Sequence, residues 1–99
     1  MNYRAIIRKA IPVDLIRLSE MQQGEEAFVS AFSEEDDLCM RLRDLGMNEG
    51  VLLRVIKYAP LGDPIQVRVR GFDLSIQKSL AAKIWVKKKV GKPVETGGF

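Results

Sequence analysis

Histidine is missing from the sequence altogether, and Cys39 is its single cysteine. The first absence removes the commonest general base and the commonest transition-metal ligand together. The second excludes an intrachain disulfide and fits a reducing compartment. No GxxxxGK(S/T) phosphate loop occurs, no GxGxxG follows a strand-like run, and no Cys/His spacing suits zinc. No apolar run reaches the roughly 18 residues that a membrane-spanning helix needs. The opening MNYRAIIRKAIPVDLIRL scatters arginine and lysine through its apolar positions, unlike a secretory signal. These absences argue against an enzyme, a resident cofactor, a metal site and membrane insertion, and they make the cytoplasm the expected location.

What is present describes one globular domain. The 99 residues are 46% apolar and 29% charged, which favours a packed core over disorder. Charge is unevenly placed. Residues 20–49 hold nine acids and only Arg41 and Arg43 as bases, whereas residues 50–92 hold ten bases and only Asp63 and Asp73 as acids. Such a division either draws the two halves together or shows two different faces to partners.

Residues 1–13 read as an N-terminal extension, with an extra edge strand as one reading, and residues 14–20 as a turn with a short helical piece. Ala27 to Phe32 is a run of aromatic, β-branched and small residues bounded by turn chemistry, which predicts a strand. A helix is predicted over about 34–45. Ser33 can cap it, with Asp36 three residues on as a variant capping box. The acids at 34–37 suit the positive end of the helix dipole, and Arg41 and Arg43 suit its other end. Leu38, Leu42 and Leu45 make the apolar stripe expected to face the core, and Gly46 stands where a left-handed residue ends a helix. After Gly50, VLLRVIKY predicts a largely buried strand. The stretch Ala59-Pro60-Leu61-Gly62-Asp63-Pro64 predicts a stiff loop. Ile65, Val67 and Val69 alternate with polar residues as a half-buried strand, and Gly71 allows a sharp bend. Short strands at 74–77 and 84–86 flank a helical turn at 78–82, and residues 90–99 read as a flexible tail.

About five short strands and one helix bury little as a flat sheet, so the mainly β chain is expected to curl into a small barrel capped by the helix. An SH3-like barrel fits this arrangement, and an OB-like barrel remains open. Cys39, beside the leucine stripe, reads as a small buried hydrophobe. The acids at 34–37 read as helix stabilisation. Lys83, Lys87, Lys88, Lys89 and Lys92, with Arg68 and Arg70, make an RNA-binding barrel the rival reading. Only Trp85, with Tyr58 as a second candidate, offers a ring for stacking, and lysines on an edge strand discourage aggregation without any ligand. Nucleic acid is therefore not the expected partner.

One ordered series of landmarks runs from about residue 14 to 88. It comprises Leu18-Ser19-Glu20-Met21 with Gly24 and Ala27, Arg41-Leu42-Arg43-Asp44-Leu45-Gly46-Met47, Gly50, Ala59-Pro60-Leu61-Gly62-Asp63-Pro64-Ile65, Val69-Arg70-Gly71, Ala82 and Ile84-Trp85-Val86. The series closely resembles the FeoA family. The resemblance implies an SH3-like domain over 14–89, in a cytoplasmic bacterial protein without enzymatic activity. The partner it implies is FeoB, a membrane ferrous iron transporter whose cytoplasmic part is a GTP-binding domain. Similar domains also form C-terminal modules of metal-dependent repressors, a further alternative. The stiff loop at Pro60, Leu61, Gly62, Asp63 and Pro64 loses little entropy on binding and is the expected partner contact. Arg41 and Arg43 on the adjoining helix join it, with an arginine-finger role toward GTP as a sharper variant. Gly46, Gly50 and Gly71 are read as structural turns. An exposed strand edge and Trp85 leave a homo-oligomer open.

Overall fold

The computed structural model describes residues 15–89, so the expectations for the 1–13 extension and the 90–99 tail lie outside the described residues. The strands are β1 (Leu15–Arg17), β2 (Glu26–Phe32), β3 (Leu52–Tyr58), β4 (Ile65–Val69), β5 (Phe72–Ile76) and β6 (Ile84–Lys88). A 3-10 turn at Leu18–Glu20 follows β1, helix α1 (Asp37–Asp44) follows β2, and the single-turn helix α2 (Lys78–Ala81) precedes β6. All six strands form one antiparallel sheet in the order β1-β6-β2-β3-β4-β5. The mainly β reading with one main helix is the observed architecture.

The sixth strand is the one that pattern did not show. Leu15–Arg17 pairs with β6 in the register Leu15↔Lys87, Ile16↔Val86 and Arg17↔Trp85. Three residues are too few to display an alternation, so only the tertiary partner makes them a strand.

Inward-facing residues of the strands supply most of the core: Ala27, Val29, Leu53, Val55, Val67 and Val86 are examples, and Leu18, Met21, Cys39, Leu42 and Met47 close it. No polar or charged side chain is buried among the described residues. Register shifts between Val29 and Ala31 and between Val55 and Lys57 bend β2 and β3, which is how so short a sheet wraps its core. Strand β3 differs from the largely buried run expected of it. Leu53 and Val55 are buried, but Leu52, Arg54 and Lys57 are exposed, because the strand has one wet face on which Leu52 happens to lie.

Helix α1 starts later than predicted, and its cap is Asp36 rather than Ser33. Asp36 is extended, and its Oδ1 accepts the Cys39 N–H at 2.9 Å. Ser33 instead ties the end of β2 to the start of β6: both its N–H and its Oγ donate to the Lys83 carbonyl, at 2.8 and 3.2 Å. The helix ends as Gly46 predicts. With φ at +111°, Gly46 donates to the Arg43 carbonyl and Met47 to the Leu42 carbonyl, both at 3.0 Å, which is a full Schellman pair. The leucine stripe is only partly core. Leu42 is buried beside Cys39, but Leu38 stays 52% exposed and Leu45 43%, because the short helix leans on its Cys39–Leu42 side.

Candidate partner-binding surface

The 59–64 loop joins β3 to β4 and is held at three points. Gly62 N–H donates to the Ala59 carbonyl at 2.7 Å, Ala59 N–H donates to the Pro64 carbonyl at 3.0 Å, and Asp63 Oδ1 accepts the Lys78 N–H at 2.8 Å. The Asp63–Pro64 peptide is cis, and Gly62 takes φ of +88°. Leu61 stands at the tip, 96% exposed. Asp63 also serves the fold locally. Gln77, the residue before α2, offers no side-chain cap, so Asp63 caps that helix from another part of the chain.

The loop and α1 are not neighbours in the way the sequence suggested. Asp63 borders α2, whereas α1 ends against the opposite end of β4, where Arg70 Nε donates to the Gly46 carbonyl at 3.2 Å. The five residues of β4 lie between, roughly 17 Å of extended chain. Of the two arginines on α1, Arg41 is exposed. Arg43 is engaged within the fold, its guanidinium 3.2 Å from Glu35 Oε2 and 4.5 Å over the Phe32 ring. Gly50 and Gly71 sit in turns with φ of +88° and +89°, and Gly71 forms with Arg70 (φ +51°) the two-residue tip of the β4–β5 hairpin.

Charge draws the two halves of the chain together. Lys83 Nζ lies 2.7 Å from Asp36 and 3.1 Å from Glu34, Lys88 lies 2.7 Å from Glu25, and Lys89 lies 3.5 Å from Glu26. The Lys83 ammonium holds the Asp36 carboxyl well below the usual carboxylate range, helped by the Cys39 N–H. The same contact, with Glu34 behind it, raises Lys83. Lys88 lowers Glu25, and the Arg68 guanidinium, 2.7 Å away, lowers Asp73 with help from Gln66. Burial pushes the Cys39 thiol up to about 11, and the Asp36 charge reinforces it, so little thiolate is present at neutral pH. Tyr58, raised by burial, donates its hydroxyl to the Met21 carbonyl. Trp85 carries the Arg17 guanidinium 4.7 Å above its ring. Among the described residues no cluster of three or more acids, cysteines or histidines is placed to hold a metal, and no helix is long and apolar enough to cross a membrane.

A second surface went unread in the sequence. On the outer face of the sheet, Phe28 lies between Lys87 and Leu52 in the pairs Phe28↔Lys87 and Phe28↔Leu52, and Phe28 and Leu52 remain 39% and 37% exposed. Beside this row runs a charged one, Glu26↔Arg54, Arg54↔Arg68 and Arg68↔Asp73. Arg54, Arg68 and Arg70 line one shallow groove with Leu52 and Glu26. Once β3 is known to alternate, the outward Leu52 and Arg54 are the signal that finds it.

Known proteins share this arrangement. A family model described as the FeoA domain matches residues 16–88. A curated protein of Porphyromonas gingivalis, a fusion of Fe(2+) transport protein A with the Fe(2+) transporter FeoB, is 31% identical over 72 residues, which are 73% of this chain and 8% of that one. The chain thus spans a small part of that relative. The solution structure of FeoA from Chlorobium tepidum is 36% identical, with a TM-score of 0.74 over 85% of this chain and 80% of that one. A Stenotrophomonas maltophilia FeoA, crystallised with zinc and described as an SH3 domain protein, is 28% identical, with a TM-score of 0.66 over 73% and 89%. The described fold is therefore SH3-like, as expected. A manganese-dependent transcriptional repressor shares that fold alone: it is 21% identical with a TM-score of 0.68, over 80% of this chain and 45% of that one.

Proposed function

The chain belongs to the FeoA family, whose members take part in ferrous iron transport, and from that premise we propose that it is a non-catalytic, cytoplasmic accessory that binds the GTP-binding region of an FeoB-type transporter. The observation that carries the proposal is the Porphyromonas gingivalis relative, in which a protein of this kind and FeoB are one polypeptide. Two partners fused in one chain are held at high effective concentration, an arrangement useful to domains that meet. Iron enters this reading as the transporter's cargo.

Docking through the 59–64 loop is supported by its stiffness and by Leu61, whose side chain is wholly offered to solvent. Asp63 is better explained by its bond to α2, and Arg43 by Glu35 and Phe32, which leaves Pro60, Leu61, Gly62 and the separate Arg41 as groups free to meet a partner. An arginine-finger role would accordingly fall to Arg41. Titrating the transporter's isolated cytoplasmic domain with this chain tests the proposal. Saturable binding that weakens with Leu61→Asp supports both the partner and the loop; absence of binding at high micromolar concentration overturns the partner assignment.

A further inference from the structure

We infer that the chain associates head-to-tail with a second copy of itself, the outer side of α1 of one molecule seating on the outer sheet face of the next. The sheet face is apolar and basic at once. Phe28 and Leu52 lie side by side in it, and Arg54 and Arg70 flank Leu52. Arg54 stands opposite Glu26 on one side and Arg68 on the other, and because Glu26 pairs with Lys89 at 3.5 Å, the like-charged Arg54–Arg68 neighbours cost stability unless a further anion relieves them. Arg68 is engaged by Asp73, whereas Arg54 has no ion pair or hydrogen bond among the described residues. The surface therefore calls for an occupant with carboxylates beside apolar side chains.

A continuous phosphate backbone suits it poorly. Glu26 and Asp73 stand in the same row as the arginines, and Arg17 already covers the Trp85 ring, so stacking is restricted.

The complementary surface is on this chain. Outward on α1, Leu38 and Leu45 are exposed seven positions apart, and Asp37 and Asp44, also seven apart, form a parallel line with no ion pair among the described residues. Seven residues rise about 10.5 Å, so each line spans roughly two strand spacings of the sheet. The two lines are about 100° apart around the helix, which separates them by roughly 8 Å at the surface, close to the ~7 Å between successive outward rows of a sheet. Laid across β6, β2 and β3, the helix sets its leucines on Lys87 and Leu52, either side of Phe28, and its aspartates over Lys89 and Arg54, either side of Glu26. Arg41, midway between the two lines, then meets Glu26. Because the two surfaces differ, the contact is heterologous, and each added copy exposes a fresh helix and a fresh sheet.

Sedimentation velocity of the full chain over a concentration series tests this directly. The wild type is expected to grow with concentration and to shrink back as salt is raised. Leu52→Glu spoils the sheet face and Leu38→Lys the helix face, and each alone should raise the association midpoint about tenfold or more. Mixed, the two variants retain one intact helix and one intact sheet face, so they should form a one-to-one pair that grows no further. Should Leu52→Glu melt early, Arg54→Glu takes its place. A wild type that stays monomeric at every concentration, association untouched by either variant, or a mixture that fails to pair overturns the inference.

Discussion

Lys83 Nζ sits 2.7 Å from Asp36 Oδ2, and the other oxygen of the same carboxylate caps α1 through the Cys39 N–H at 2.9 Å. One acid thus fixes the helix start and clamps it to the residue just before β6. Glu34 adds a second oxygen to Lys83 at 3.1 Å.

That carboxyl gives the fold an acid limit. Asp36, Glu25 and Asp73 are all held below the ordinary carboxylate range by Lys83, Lys88 and Arg68. Folding favours their charged forms, so the stability they give is complete above the ordinary pKa near 4 and is lost as pH falls through the depressed values. Asp36→Asn keeps a good cap but removes the charge. It should lower the thermal midpoint at pH 7 and flatten the fall of that midpoint below about pH 4.

The leucines of α1 should separate by burial. Leu42→Ala removes a buried side chain and should cost about 2–4 kcal/mol, while Leu38→Ala and Leu45→Ala should each cost about 1 kcal/mol or less. Urea unfolding of the three variants under conditions where the chain is dilute measures the difference.

Gly46 is constrained twice, by its φ of +111° and by Arg70 Cδ, which would lie 2.9 Å from an added Cβ. Gly46→Ala should destabilise by about 1–2 kcal/mol. In an Arg70→Ala background the crowding vanishes and the backbone strain remains, so the penalty should fall without disappearing. A double-mutant cycle by denaturant unfolding reads both parts.

Loop residues should divide into those that bind and those that stabilise. Leu61→Asp should leave the unfolding midpoint unchanged and weaken binding to the transporter's cytoplasmic domain. Asp63→Ala should cost about 1 kcal/mol of stability through loss of the α2 cap. Calorimetry of both variants, with and without that domain, distinguishes the two effects.

Cys39 is buried and its thiol is pushed up to about 11. Iodoacetamide at pH 8 should therefore leave the native chain unlabelled and modify it rapidly in urea, with mass spectrometry as the readout.

The sequence carried the strands wherever alternation was long enough to see, as in Ile65, Val67 and Val69, and it placed Gly46 at the helix end from backbone chemistry alone. It missed what depends on partners distant in the chain. Leu15–Arg17 is a strand only because β6 lies beside it. Ser33 looked like a cap until Lys83 claimed the residues around it. Leu38 and Leu45 fit a core stripe in every local respect, and only the lean of the helix exposes them. The loop was legible as stiff and surface-placed, yet its separation from α1 by the length of β4 belongs to topology, as does the row that joins Phe28 to Leu52.

The pairing of β1 with β6 has a last consequence. Leu15 lies opposite Lys87, so the polypeptide passes into and out of the described domain at one edge of the sheet, side by side. A unit with adjoining entrance and exit hangs from a longer chain like a bead on a doubled thread. It can be set into a longer polypeptide, as its relative is in the Porphyromonas gingivalis fusion, without rearranging what it is attached to.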